Sequence, residues 1–168
     1  METLARLEET GLSIWMRESG AAFFTSLTLH SLGMAFVVGI NIAIGLILIG
    51  AIPNKALTNV SAAALSRFYP IQWYCAAVIL FSGIALLLAY PAKALTNPVF
   101  YVKFAALVTA LLISRYFQKT LSNGVSILEP NRHLKSLAYL SLVLWVVTIT
   151  AGRFLAYTNS VLLASRFY

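Results

Sequence analysis

The stretch SGAAFFTSLTLHSLGMAFVVGINIAIGLILIGAIPN, residues 19–54, decides the fold of this chain. Its 36 residues carry no charge, whereas a helix that crosses a bilayer needs only about 20 consecutive apolar residues. The run predicts a first membrane-spanning helix over residues 21–52, ended by Pro53 and Asn54. Such a helix is long enough to tilt or to extend beyond the bilayer.

Three further apolar runs predict three more spans. The second covers residues 70–90 and stops at Pro91, because proline disfavours helix at the residue before it. The third covers residues 98–120, with Asn97 as its N-cap. The fourth covers residues 131–157. Alternating spans of this kind predict a bundle in which consecutive helices run in opposite directions.

The composition of the chain agrees with a membrane protein. Of its 168 residues, 60% are hydrophobic and 10% are charged, and the mean hydropathy is +0.85. A soluble domain carries about 25% charged residues, so lipid must replace water around most of this chain. We expect an all-α polytopic membrane protein, with residues 1–168 forming one domain built on a four-helix bundle.

The net charge of +7 does not indicate nucleic-acid binding. The basic residues mostly flank the apolar runs, where they contact lipid phosphates and set the orientation of the helices. The bilayer is therefore the expected partner, and nucleic acid is not. The loops after the first and third spans carry more basic residues than the other side, which predicts both termini outside the cytoplasm.

Two short segments have an amphipathic pattern. Residues 2–17 place Leu4, Leu7, Ile14 and Trp15 at helical spacing between acidic residues, which predicts an interfacial helix with its tryptophan at headgroup depth. Residues 60–68 predict a second short interfacial helix.

The first span carries two stripes. One joins residues on a single line along the helix, namely Ser26, His30, Gly33, Val37 and Asn41. The other is a small-residue groove of Ala35, Gly39 and Ala43, roughly 140° away. Together they predict a central helix with neighbours on two sides, and simple helix packing explains both stripes as well as a functional role does.

Charged residues within the spans form the candidate site. Lys103 lies inside the third span and Arg153 inside the last third of the fourth, which puts both in the same leaflet as His30, with Glu18 at its mouth. In one interpretation the two cations extend to the headgroups or pair with Glu18 and helix-end carbonyls. In the other they form a pocket for an anionic group, such as a lipid phosphate, a carboxylate, a cofactor propionate or a permeating anion. Asn41 is the further polar candidate on the His30 stripe.

Histidine chemistry is limited by the topology. The chain has two histidines, His30 and His133, and the predicted spans place them on opposite faces of the membrane. Both cannot bind one haem iron, and Met34 lies on the same helix as His30, so it cannot take the opposite axial position. We expect no cofactor, while a five-coordinate haem b, a haem shared between chains or a quinone near His30 stays open.

The sequence has no recognisable catalytic or metal motif. Cys75 is the one cysteine, there is no aspartate, and all five acidic residues are glutamates. The metalloprotease, nucleophile-elbow and phosphate-loop patterns are missing. We therefore predict no catalytic residue, no metal site and no enzymatic activity.

The order of four motifs resembles a known family. Trp15-Met16-Arg17-Glu18-Ser19, His30-Ser31-Leu32-Gly33, Asn97-Pro98-Val99-Phe100-Tyr101-Val102-Lys103 and Ala151-Gly152-Arg153 cover nearly the whole chain. The pattern resembles small bacterial four-helix membrane proteins of unknown function. The resemblance implies a location in the bacterial inner membrane, no assigned enzyme activity, and a grouping of Glu18, His30, Lys103 and Arg153.

Three functional hypotheses follow. The first is a non-enzymatic membrane subunit, a homo-oligomer or part of a larger complex, that holds an anionic group in the charged cluster. The second is an electron-transfer protein with haem or quinone near His30. The third is an anion channel or transporter formed by oligomerisation, with Lys103 or Arg153 lining its pore.

Overall fold

The computed structural model describes residues 6, 8–52, 67–123 and 130–164. The helices with described bounds are α1 (Gly11–Glu18), α2 (Gly20–Leu48), α3 (Phe68–Ala89), α4 (Pro91–Leu95), α5 (Pro98–Ser122) and α6 (Arg132–Ala164). Within these residues the regular structure is helical, without strands. The prediction of an all-helical chain is confirmed.

Four of the helices are long and apolar enough to cross a membrane, namely α2, α3, α5 and the Arg132–Leu155 part of α6. The predicted number of spans is confirmed. The first span ends at Leu48 rather than at residue 52, because the chain turns at Gly50, whose positive φ of 78° suits glycine. The fourth span covers Arg132–Leu155, and the helix that contains it, α6, continues to Ala164.

The two predicted interfacial helices have different outcomes. The helix predicted over residues 2–17 is described as α1 from Gly11 onward, where Thr10 caps it. Its position in a membrane interface stays a prediction. Most of the second segment, residues 60–66, lies outside the described residues.

The outward surface of the bundle is apolar. Large hydrophobic side chains lie exposed along all four spans, including Phe24, Tyr74, Phe81 and Phe154 at 63–75% exposure. A soluble protein does not leave so many large apolar side chains in water. The spans are therefore covered by lipid, and the chain is a multi-pass integral membrane protein.

The inward side of α2 packs against two neighbours at glycines. A β-carbon on Gly33 would lie 2.9 Å from Ile79 Cγ1 of α3. A β-carbon on Gly45 would lie 2.9 Å from Leu142 Cδ2 of α6. These glycines let the helices approach closely, as small residues do in membrane bundles.

The second predicted stripe of α2 does not make the expected contacts among the residues that the structure describes. Ala35, Gly39 and Ala43 are exposed, and a β-carbon on Gly39 would meet open space. The reason is geometric, since both neighbours lie on the side of the helix that carries Gly33 and Gly45.

One side chain joins all four spans. Trp145 of α6 is fully buried and belongs to an apolar cluster with Val37 of α2, Ile79 of α3 and Ala110 of α5. A second cluster, around Leu48, Phe117 and Leu134, fills one end of the bundle. The other end of the bundle contains the starts of α2 and α5 and the end of α3. Helix α1 packs against α2 and α3 there, and we name this end the α1 end.

Candidate functional site

His30 of α2 is held by a serine of α3. His30 Nδ1 lies 3.1 Å from Ser82 Oγ. The single hydroxyl hydrogen of Ser82 is directed to the Val78 carbonyl oxygen, 2.6 Å away. Ser82 Oγ is therefore the acceptor, and His30 donates its Nδ1 hydrogen to it. Nε2 is left as the ring nitrogen with a lone pair, able to accept a hydrogen bond or to bind a metal.

Lys103 of α5 has a half-buried side chain, and it lies in the half of the bundle that also contains His30. Lys103 also lies against Gly152 of α6, where a β-carbon would stand 3.5 Å from Lys103 Cε and 3.6 Å from Nζ. The space that this glycine leaves empty accommodates the lysine stem between α5 and α6.

Arg153 follows Gly152 but has a different environment. The side chain of Arg153 is exposed, whereas Gly152 faces Lys103. One residue along a helix turns the side chain by about 100°. The two predicted cations therefore flank the α5–α6 contact, one within the bundle and one on its surface.

Among the described residues, neither of the other two predicted site residues makes a hydrogen bond or an ion pair with Lys103. Glu18 is the exposed last residue of α1. Asn41 is buried, but it lies 11 residues beyond His30, about 16 Å along the helix axis. Its Nδ2 donates to the Val37 carbonyl oxygen at 2.7 Å within the same helix.

The two histidines lie at opposite ends of the bundle, as their topology predicts. His133 is exposed near the start of α6, where its ring packs edge-on against Tyr116 at 6.2 Å. Among the described residues, no three histidine, cysteine or acidic side chains come together in a group that could hold a metal ion.

The packing of α1 against α3 and α4 was not predicted. Arg17 and Lys93 lie on the Tyr90 ring, each 6.0 Å from its centroid. The Glu8 carboxylate accepts from the Ala92 amide at 3.2 Å, and Ser13 Oγ donates to the Ala89 carbonyl. Except for the contact between Lys93 and Tyr90, they join residues 73–84 positions apart, so no local pattern in the sequence indicates them.

A second polar group lies deeper, toward the end of the bundle away from α1. It consists of buried side chains on α3, α5 and α6: Gln72, Ser114, Gln118, Ser141 and Trp145. Sequence reasoning missed this group. The only signal was that two glutamines interrupt apolar runs, and a glutamine in such a run can face either lipid headgroups or the core.

Comparison of the chain with protein-family models, curated proteins and solved structures finds no match. The helices alone define its class, which is that of multi-pass integral membrane proteins. The family resemblance based on the four motifs stays a prediction.

Proposed function

We propose that this chain is a non-enzymatic membrane protein that holds an anionic group at Lys103. The observation that carries the proposal is a half-buried ammonium group inside four spans that contain no acidic residue. His30 of α2, fixed by its contact with Ser82, is the further polar residue in this half of the bundle.

The charge of Lys103 needs a counter-ion from outside the spans. The chain has five acidic residues, at positions 2, 8, 9, 18 and 129, and all of them lie outside α2, α3, α5 and α6. A cation at the centre of a spanning helix costs about 2.5–3.5 kcal/mol on insertion scales, and the cost is smaller for Lys103, which lies one to two turns inside α5. An anionic ligand that pairs with Lys103 offsets this cost, and lysine is suited to phosphate as a point charge.

A groove on the surface favours a phospholipid as the source of the anion. It has a volume of about 430 Å³ and an apolar lining, and it lies between α5 and α6 beside the Lys103–Gly152 contact. Its walls are formed by Pro98, Val99, Val102, Val147, Thr150, Ala151 and Phe154. Such a groove suits an acyl chain, with the exposed Arg153 available to the same headgroup.

Native mass spectrometry of protein released from nanodiscs tests the proposal. The nanodiscs contain equal amounts of phosphatidylglycerol and phosphatidylcholine, and the compared proteins are the unchanged chain, Lys103→Met and Lys119→Met. Lys119 is an exposed lysine at the other end of α5 and serves as the matched control. We expect Lys103→Met to retain about tenfold less phosphatidylglycerol, because a charged hydrogen bond contributes about 1.5–3 kcal/mol. Equal retention by both variants would refute the proposal.

A second candidate function is electron transfer through a haem or quinone at His30. The observation in its favour is the Nδ1–Ser82 hydrogen bond, because ligating histidines are usually oriented by a hydrogen bond at their other nitrogen. We expect a visible absorption band or an extractable quinone in the purified protein that is lost in His30→Ala and kept in His133→Ala. Colourless protein without quinone would remove this candidate.

Self-association is part of the first proposal. The exposed stripe of Ala35, Gly39 and Ala43 on α2 supports a contact with a second copy or with another subunit. The same mass spectrum reports the number of chains in each particle. Gly39→Leu changes the stripe, and Gly20→Leu is the control. A monomeric Gly39→Leu chain and an oligomeric Gly20→Leu chain would support this contact.

A further inference from the structure

Five polar atoms in the bundle core have no hydrogen-bond partner among the described residues. We name the side chains that carry them the amide cluster: Tyr69 Oη, Gln72 Oε1, Gln118 Nε2, Ser141 Oγ and Trp145 Nε1. Gln72, Gln118, Ser141 and Trp145 are 0–4% exposed. An unpartnered buried polar group costs about 1–3 kcal/mol, and inside a bilayer bulk water cannot remove that cost.

The orientation of Gln118 follows from its neighbour. Trp73 Nε1 lies 2.9 Å from Gln118 Oε1, and an indole nitrogen can only donate. The amide oxygen of Gln118 must therefore face Trp73. Its Nε2 group is left as a donor without an acceptor. Exchanging oxygen and nitrogen would place two donors against each other, so this unpartnered donor cannot be removed by rotating the amide.

Ser141 differs from other hydroxyl residues of the spans. Ser82, Thr109 and Thr148 each donate to the carbonyl oxygen four residues earlier in their own helix. Polar residues in apolar helices usually make this bond. The Ser141 hydroxyl makes no such bond, although it is 1% exposed and lies one helical turn from the Trp145 indole.

The cluster lies where α3 and α5 are not in close contact. The backbones pack closely between α2 and α3, α5 and α6, and α2 and α6, whereas α3 and α5 do not approach in this way. Long side chains bridge them instead: Gln72 Nε2 donates to Ser114 Oγ at 2.6 Å, and Trp73 reaches Gln118. Ser114 is one turn from Ala110, which belongs to the same buried cluster as Trp145.

We propose that ordered water occupies the amide cluster and bridges α3, α5 and α6. The unpartnered groups include donors at Gln118 and Trp145 and an acceptor at Gln72. A cation would leave the two donors unpartnered, and an anion would leave the acceptor unpartnered. Water supplies both functions at once, and a buried water usually makes about three hydrogen bonds. This hydrated site is separate from Lys103 and does not depend on anion binding.

Cysteine accessibility in proteoliposomes tests the proposal. In a Cys75→Ala background, Ser114→Cys places a thiol beside Gln72, and Ile44→Cys places a buried thiol on α2, which carries no member of the amide cluster. A small polar methanethiosulfonate reagent needs a hydrated thiol, because the thiolate is the reacting form. We expect Ser114→Cys to react roughly tenfold faster than Ile44→Cys. A measurable rate at Ile44→Cys that equals or exceeds the rate at Ser114→Cys would overturn the proposal.

Radiolytic footprinting gives a second measurement on the unchanged chain. Hydroxyl radicals formed from bound water oxidise the side chains next to it, even where bulk solvent does not reach. We expect Trp145 to be oxidised, although it is 0% exposed. We expect this oxidation to fall in Gln118→Leu, in which one water partner is missing. Unmodified Trp145 in the folded chain would overturn the proposal.

Discussion

Lys103 and Gly152 face each other across the contact between α5 and α6, with Lys103 Cε 3.5 Å from the place of a missing β-carbon. The lysine can stay within the bundle because the glycine opposite has no side chain. Its ammonium nitrogen lies 3.6 Å from the same place, whereas the side chain of Arg153 is exposed on the surface.

The Lys103–Gly152 contact predicts that a substitution at the uncharged Gly152 changes anion binding at Lys103. Gly152→Leu should displace the lysine and lower phosphatidylglycerol retention about as much as Lys103→Met, by roughly tenfold. Gly152→Ala should keep retention within about twofold, because its β-carbon would lie at an ordinary contact distance. Native mass spectrometry of both variants measures this. A Gly152→Leu chain that retains lipid normally would show that the position of the lysine is unimportant.

The two glycines at positions 33 and 39 should respond differently to alanine. Gly33→Ala puts a β-carbon 2.9 Å from Ile79 and 3.2 Å from the Cys75 carbonyl oxygen, so it should lower the free energy of unfolding by about 1–3 kcal/mol. Gly39→Ala meets open space and should leave stability unchanged or raise it by up to about 1 kcal/mol. Reversible unfolding in mixed detergent micelles compares them. Equal effects would mean that α2 and α3 do not cross closely at Gly33.

The hydrogen bond from His30 to Ser82 predicts a defined tautomer. The ¹⁵N spectrum of histidine-labelled protein should show His30 protonated at Nδ1 and not at Nε2. Ser82→Ala should shift the His30 signals and lower the free energy of unfolding by about 1 kcal/mol. His133, which is exposed at the other end of the bundle, is the internal reference and should not shift. A His30 ring protonated at Nε2 would contradict the assignment.

The packing of Arg17 on Tyr90 predicts how firmly α1 is attached. Arg17→Ala removes this contact and the bond from Arg17 Nη2 to the Glu8 carbonyl oxygen. Amide exchange in α1 should then become roughly fivefold faster, since a partly exposed cation–π contact contributes about 1 kcal/mol. Glu9→Gln, an exposed neighbour outside the contact, is the control. Unchanged exchange in Arg17→Ala would show that other contacts hold α1.

The spans could be predicted because their signal is local. An uncharged run of residues 19–54 is long enough to cross hydrocarbon whatever it packs against, so counting residues was sufficient. The common depth of His30 and Lys103 followed from the alternating direction of the spans. The residues at which the helices end could not be obtained by counting. Helix α6, for example, continues to Ala164 because the residues before it do not interrupt helix formation.

The side that each polar residue faces could not be predicted in the same way. Arg153 and Lys103 look equivalent as cations inside apolar runs, but one is exposed and the other half-buried. Gln72 and Gln118 gave no indication that they face the core. The direction that a side chain faces depends on which helices are neighbours. The Ala35–Gly39–Ala43 stripe has no neighbour among the described residues, because both partners of α2 pack on its other side.

The sequence by itself determined that this chain is embedded in a lipid bilayer and crosses it four times. The free energy of transferring long apolar runs out of water depends on their composition and length alone. Only the tertiary structure decided that Gly152 makes room for Lys103, that Ser82 orients His30, and that five buried polar atoms have no hydrogen-bond partner within the described part of the chain. Those features depend on the rotation and spacing of helices relative to one another, which arise from contacts between residues far apart in the chain.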